Sequence, residues 1–312
     1  MATEAGRRVV RGVLLLTVVS MVAVGVVIGV GTLVALTTGA IRGDEAVHLL
    51  VGVFGGVLAL GGGFALLPLL GRLTGLGDDI RLLELCDPGA PLLHELMESA
   101  PGTYAHSVMV GSLAEAAAHQ IGANALLARA GAYYHDIGKL SRPQFFAENQ
   151  SGLRNPHDSA RPEQSAFIIT AHVRDGAMMA ERGGLPQPVV DIIAQHHGTS
   201  LVTYFYRKAS SCGLLVDEAP FRYEEELPST REAALVMLAD SAEAAGRALA
   251  DCGPVQIEAA VRKVVKSKRD DGQLERSGMS DEDVEETIAV YAKMLSGQRH
   301  TRVGYPEVAE RT

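Results

Sequence analysis

The feature that most constrains this chain is a set of histidines and aspartates placed where only apolar side chains belong. Beyond about residue 100, apolar residues recur at three- and four-residue spacing with few alternating β-branched runs, which predicts helices throughout. In the helix from Tyr104, one stripe reads His106, Val110, Leu113, Ala117, Ile121. His135 and Asp136 fall among Ala132, Tyr133 and Ile137, in a helix expected to end at Lys139. His172 shares a stripe with Ile168 and Met179, and His196 and His197 follow Val189, Val190 and Ile193. Asp240 continues the stripe Ala233, Val236, Met237 and leads to Ala244. Separate helices therefore aim imidazole or carboxylate at one interior.

A lone inward histidine is ordinarily a hydrogen-bonded core residue. Several helices doing the same thing together, with two aspartates among them, need a common cause. A buried carboxylate is costly unless it is paired or bound to a metal. No inward Lys or Arg is evident to pair with both Asp136 and Asp240. Metal coordination satisfies all of these groups at once. Seven ligands would overfill one ion. With one carboxylate bridging, they supply four bonds to each of two ions, and a hydroxide and substrate oxygens complete the shells. Mostly imidazole with carboxylate suits iron or manganese better than zinc. Lys139, one turn beyond His135, is the expected phosphate partner beside the cluster, its bland alternative being a charge that complements a helix C-terminus. Arg142 is a weaker version of the same idea.

The other histidines look different. His119 lies off the apolar stripe and should be solvated, while His94, His157 and His300 sit near charged or loop residues. The polar run Asn155-Pro156-His157-Asp158 could close over a site. Segments 143–162 and 210–228 read as loops, and Ser229 with Glu232 reads as a capping box opening the helix that carries Asp240.

The first part of the chain has another character. Residues 12–41 contain no charged side chain, and residues 46–71 contain none apart from a neutral His48. Each run exceeds the roughly 20 residues that a membrane-spanning helix needs. The expectation is a two-helix hairpin in residues 1–72, with spans at about 12–38 and 46–70 joined by a loop at 42–45. Arg7, Arg8 and Arg11 before the first span and Arg72 after the second place both ends in the cytoplasm. Gly25 and Gly29, with Gly52 and Gly56, offer small packing faces, either for the hairpin alone or for a homo-oligomer. Residues 73–100 read as a juxtamembrane linker: a helix, a Pro-Gly break and a second short helix. Residues 1–71 carry four Arg against three acids, net +1, leaving 24 basic and 34 acidic residues beyond them, net −10. That acidic balance excludes a protein that grips long nucleic acid electrostatically. Cys86, Cys212 and Cys252 are too far apart for a disulfide scaffold or a thiolate zinc finger.

The string His135-Asp136-Ile137-Gly138-Lys139 resembles the signature of the HD-domain metal-dependent phosphohydrolases. The resemblance extends through Pro101-Gly102-Thr103-Tyr104-Ala105-His106-Ser107, Arg142-Pro143, Glu148-Asn149-Gln150, Asn155-Pro156-His157-Asp158 and Gln195-His196-His197-Gly198-Thr199-Ser200. Over about residues 80–306 the chain resembles the cytoplasmic domain of the seven-transmembrane, PgpH-type cyclic di-AMP phosphodiesterases. The resemblance implies an all-α HD-domain bundle in residues 101–312 and a pair of divalent metals, manganese or iron. It implies ligation by His106, His135, Asp136, His172, His196, His197 and Asp240, with Asp136 bridging, and hydrolysis of cyclic di-AMP to pApA. The implied placement is a multi-pass protein of the cell membrane with a cytoplasmic HD domain. Two expected spans in place of seven would fit a truncated gene, a late start codon or an N-terminally short form of that family. Three rivals are an HD-GYP enzyme on cyclic di-GMP, a mononuclear HD nucleotide hydrolase, and a non-catalytic nucleotide-binding receptor. The Gly304-Tyr305-Pro306 string does not follow the histidine pair, which argues against the first. The intact seven-residue set argues against the other two.

Overall fold

The structure, a computed structural model, describes residues 4–38, 76–150, 155–211, 216–249 and 252–297, together with a few positions between 51 and 62. Among the described residues it is all-helical, the exception being an isolated bridge between Leu201 and Arg222. The chain divides into two compact units, Met1–Arg81 and Leu82–Thr312.

In the first unit, helix α1 spans Glu4–Thr37, and the described positions between 51 and 62 are helical. The two segments approach at small residues: a methyl added at Gly56 would lie 3.5 Å from the Gly25 carbonyl oxygen, and one at Gly25 would lie 3.9 Å from Ala59 Cβ. Val19, Met21, Val24, Val27, Phe54 and Leu58 are exposed. The first expected span coincides with α1, yet among the described residues no helix is long and apolar enough to cross a membrane. The expected loop at 42–45, His48 and much of the second span lie outside the described residues.

The second unit is built from helices that prolines start and glycines stop. Past α2 (Leu76–Leu85), α3 (Pro91–Ser99) and α4 (Pro101–Ile121) each open on proline, whose fixed φ and missing N–H suit the first helical turn. Gly122, at φ 67°, closes α4, and Asn124 Oδ1 accepts from Leu127 N to open α5 (Ala125–Tyr134). There follow α6 (Pro162–Arg182), α7 (Gln187–Gln195), α8 (Thr203–Ser210), α9 (Arg231–Ala248), α10 (Pro254–Asp270) and α11 (Asp281–Gly297). One core packs α4, α5, α9, α10 and α11 through Leu113, Ala117, Leu235, Leu238, Val261 and Ile288. Buried Tyr291 donates its hydroxyl to Leu235 O at 2.8 Å within it. A second core joins α3, α5 and α7 through Leu93, Leu96, Tyr134, Val189 and Ile193. His106 and Asp240 sit on α4 and α9, His172 on α6, and His135, Asp136, His196 and His197 where α5 and α7 end.

Three local expectations need correction. The expected capping box at Ser229 does not form. Thr230 caps α9 by accepting from Ala233 N at 3.1 Å, while Ser229 donates to Gln195 and Glu232 accepts from Asn124 N. Ser is the somewhat better cap of the two, so tertiary partners overrode the local preference. The segment 143–162 is not open loop but contains short 3-10 turns at Pro143–Phe145, Ala147–Asn149 and Pro156–Asp158. His157 within it is buried: its Nε2 donates to Phe145 O at 2.9 Å, and its ring lies between Phe145 and Phe205. His94 and His119 are exposed, and His300 lies outside the described residues.

Candidate metal centre

The centre begins where α5 stops. The helix does not run to Lys139; it ends at Tyr134, His135 caps it, and Asp136 (φ −106°, ψ 12°) turns the chain into a 3-10 segment, Ile137–Ser141. This break lets His135 and Asp136 face the same space, which two successive residues of a straight helix cannot do. Gly138 makes the next contact possible. A methyl there would collide with the His172 carbonyl and lie 2.5 Å from Gly176 N, so only glycine lets the turn lie against α6.

All seven predicted residues meet. Asp136 Oδ2 lies 3.2 Å from His135 Nε2 and 3.6 Å from His106 Nε2, while its Oδ1 lies 3.2 Å from His172 Nε2 and 3.8 Å from His196 Nε2. Asp240 closes the other side, 3.1 Å from His106 Nε2 and 3.9 Å from His197 Nδ1. Two groups emerge whose donor atoms all lie within 4.8 Å of one another: His106 with His135 and Asp136, and His172 with His196 and His197.

The imidazoles are set to present bare nitrogens. His135, His172 and His196 each donate Nδ1–H to the carbonyl three residues earlier: Ala132 O at 2.6 Å, Ile169 O at 2.5 Å and Ile193 O at 2.7 Å. That hydrogen bond selects the tautomer with an unprotonated Nε2 pointing inward. His106 is held at both nitrogens instead: Glu243 Oε2 lies 2.8 Å from Nδ1 and Asp240 Oδ1 lies 3.1 Å from Nε2. The Nε2 atoms of His172 and His196 lie 3.2 Å apart, so two lone pairs face each other. His135 Nε2 is buried with no hydrogen-bond partner among the described residues. This donor set fits divalent cations: imidazole nitrogens and a carboxylate converge, and among the described residues His135 Nε2 has no hydrogen-bond donor to satisfy it.

The electrostatics divide the centre. Burial first, then the neighbouring imidazoles, pushes His196 down to about 3 and holds His197 well below the ordinary imidazole range. Burial also pushes His106 down, but hydrogen bonds to Asp240 and Glu243 outweigh it and raise the group to about 9. Burial pushes Asp136 up, yet His135 and Lys139 together hold it well below the usual carboxylate range. Asp240 is held low in the same way by His106 and His197.

Lys139 does not reach into open space. Its ammonium is partly buried, 2.7 Å from Asp136 Oδ2 and 2.7 Å from Glu148 Oε1. It also answers the apparent lack of an inward cation, but for Asp136 alone. Arg142 caps the 3-10 segment, its N–H donating to Lys139 O at 3.1 Å. Three residues at the centre escaped the sequence reading as site residues. Glu243, which orients His106, lies three positions after Asp240 on the same helical face, a spacing that could have revealed it. Glu148 belongs to a motif but gives no sign of its pairing. Tyr223 stacks on His197 with centroids 4.3 Å apart, and it follows an irregular segment where periodicity carries no signal.

The HD domain family matches residues 103–245. The chain is 43% identical over 267 residues to a cyclic-di-AMP phosphodiesterase PgpH of Bacillus subtilis (strain 168), covering 84% of this chain and 37% of that protein. It is 42% identical over 245 residues to a cyclic-di-AMP phosphodiesterase PgpH of Listeria monocytogenes serotype 1/2a (strain 10403S), covering 78% of this chain and 34% of that one. The chain thus spans little more than a third of the curated relatives it matches. The crystal structure of the L. monocytogenes phosphodiesterase PgpH HD domain in complex with cyclic-di-AMP superposes with a TM-score of 0.66 at 42% identity, over 68% of this chain and 100% of that one.

Proposed function

Because this chain belongs to the HD-domain family, we propose that it is a metal-dependent phosphodiesterase that hydrolyses cyclic di-AMP to the linear dinucleotide pApA. The observation that carries the reading is the two-sided carboxylate of Asp136, one oxygen toward His106 and His135 and the other toward His172 and His196. His106, His135 and Asp240 would hold one divalent ion, His172, His196 and His197 a second, and Asp136 would bridge them. Manganese or iron suits this imidazole-rich set. When bound, such a pair lowers the pKa of a water between the ions and neutralises the phosphoryl oxygens. Lys139 and Glu148 fix the Asp136 carboxylate, so Lys139 acts as a positioning residue. The Nδ1 hydrogen bonds to Ala132, Ile169 and Ile193 hold the rings in place through turnover, so no side chain has to reorganise. No serine or cysteine nucleophile is required. The adenine preference is supported by the names of the relatives and by the bound ligand of the solved HD domain.

The two uncharged runs and the exposed apolar side chains of the first unit support a membrane hairpin with the HD domain on the cytoplasmic side.

The test is to supply this chain with Mn²⁺ and either cyclic di-AMP or cyclic di-GMP, and to identify products by chromatography. Release of pApA, abolished by Asp136→Ala, is expected. Faster turnover of the guanine compound overturns the substrate, and full activity in Asp136→Ala overturns the site.

A further inference from the structure

Carboxylates crowd the centre, and most cations near it are already paired with them. Lys139 lies between Asp136 and Glu148, and Arg247 Nη2 lies 3.0 Å from Glu243 Oε2. Lys268, near the end of α10, is different. Its ammonium donates to the Ser200 hydroxyl at 2.7 Å, and among the described residues it forms no ion pair. Asp271, three residues on, gives its oxygens to Arg222 at 3.0 and 3.2 Å and to Gln273 at 2.9 Å. Ser200 is itself buried.

Its position ties this cation to the centre. Ser200 N donates to His197 O at 3.0 Å, closing the turn that presents His197. Gly198 (φ 52°) shapes that turn, and Gln273 holds Thr199 from the α10 side at 3.0 Å. Lys268 therefore stands beside the His197 half, close enough for its charge to act on His197 and for Asp240 to act on it. An ammonium has three donors, and Lys268 spends one on a neutral hydroxyl, while Asp240 and Asp271 act on its charge only from beyond ion-pair distance. A partly buried charge with no counter-charge in contact is costly, and an arriving anion lowers that cost.

We propose that Lys268 binds the uncleaved phosphate of the substrate. The inference rests on the phosphodiesterase reading. A cyclic dinucleotide carries two phosphodiester anions. The one under attack is neutralised at the centre, and the other needs a cation that carboxylates have not claimed. Lys139 cannot serve, because two of them already hold it.

The experiment compares Lys268→Met, Lys268→Arg and Ser200→Ala in the Mn²⁺-loaded chain. In Lys268→Met, KM for cyclic di-AMP and the Kd of pApA by calorimetry should both rise about tenfold or more, with kcat within about threefold, as expected for losing one charge-assisted hydrogen bond. Lys268→Arg should restore most of this, and Ser200→Ala should leave KM within about twofold because the charge remains. Hydrolysis of bis(4-nitrophenyl) phosphate, which has a single phosphate, should be unchanged in all three. Loss of manganese from Lys268→Met, or an equal fall in its bis(4-nitrophenyl) phosphate activity, would show that the lysine serves the metal turn and overturn the assignment. An unchanged Kd for pApA also overturns it. If the wild type cleaves bis(4-nitrophenyl) phosphate but no cyclic dinucleotide, the substrate reading fails while the pApA titration still decides the role of Lys268.

Discussion

The two halves of the candidate metal centre have similar geometry and opposite electrostatics. On the first side, His106 sits between Asp240 and Glu243, beside Asp136 with its lysine. On the other side, His172, His196 and His197 face one another, and the nearest negative charges are shared from Asp136 and Asp240. Carboxylates raise His106 to about 9, so without metal it holds a proton at neutral pH. Burial holds His196 down at about 3, so it stays neutral and ready. A metal binding His106 must displace a proton; one binding His196 need not. Asp136 is the group both halves share, and it joins two differently tuned sites into one.

That comparison can be broken or sharpened, beginning with the largest effect. Asp136→Ala removes the shared carboxylate, and metal analysis should find both ions lost. Merely removing an outer partner of a ligand costs about 10- to 100-fold in affinity, so losing the proposed bridging ligand should cost more. A variant that kept one full-occupancy ion would show that the halves bind independently. Gly138→Ala should act next most strongly, because its methyl meets the His172 backbone. Overpacking of this kind costs about 1–3 kcal/mol, and the lowered melting temperature should come with weaker metal binding on the His172 side. Glu243→Gln touches only the first half. It removes the charge that orients His106, so metal titration should show one ion weakened by about 10- to 100-fold and the other unchanged.

A last effect is on the stability of the metal-free chain, and here the halves should act in opposite directions. His106 has a folded value of about 9, above its ordinary 6.5, so its contribution is complete below 6.5 and is lost as pH rises through 9. His196 has a folded value of about 3, below 6.5, so its contribution is complete above 6.5 and is lost as pH falls toward 3. Urea midpoints of the chelated protein should therefore decline on both sides of neutrality. In His106→Gln the alkaline decline should shrink and the acid one remain. A profile unaltered by that substitution would contradict the assigned division of charge.

The candidate site was legible to the extent that a polar residue interrupts an apolar period. His106, His172 and Asp240 stand out because a helix face is otherwise uniform. His157 shows the limit: its segment is polar and proline-rich, yet two phenylalanine rings bury it. The end of α5 was not legible, because Ile137, Gly138 and Lys139 continue a helical pattern while the backbone has already turned at Asp136. Lys139 shows the same gap in electrostatics. Its position predicts a cation near the cluster, but only folding brings Glu148 to it and takes up its charge.

The sequence by itself determined the helical class and the inward-facing residues, because periodicity is a property of neighbours along one chain. The tertiary structure decided what those residues are to one another: which oxygen of Asp136 faces which imidazole, which lysine is neutralised and which is left with charge to offer. Those distinctions depend on a few ångströms between segments as far apart as His106 and Glu243, 137 positions along the chain. Charge and hydrogen bonding act across that space without regard to sequence separation.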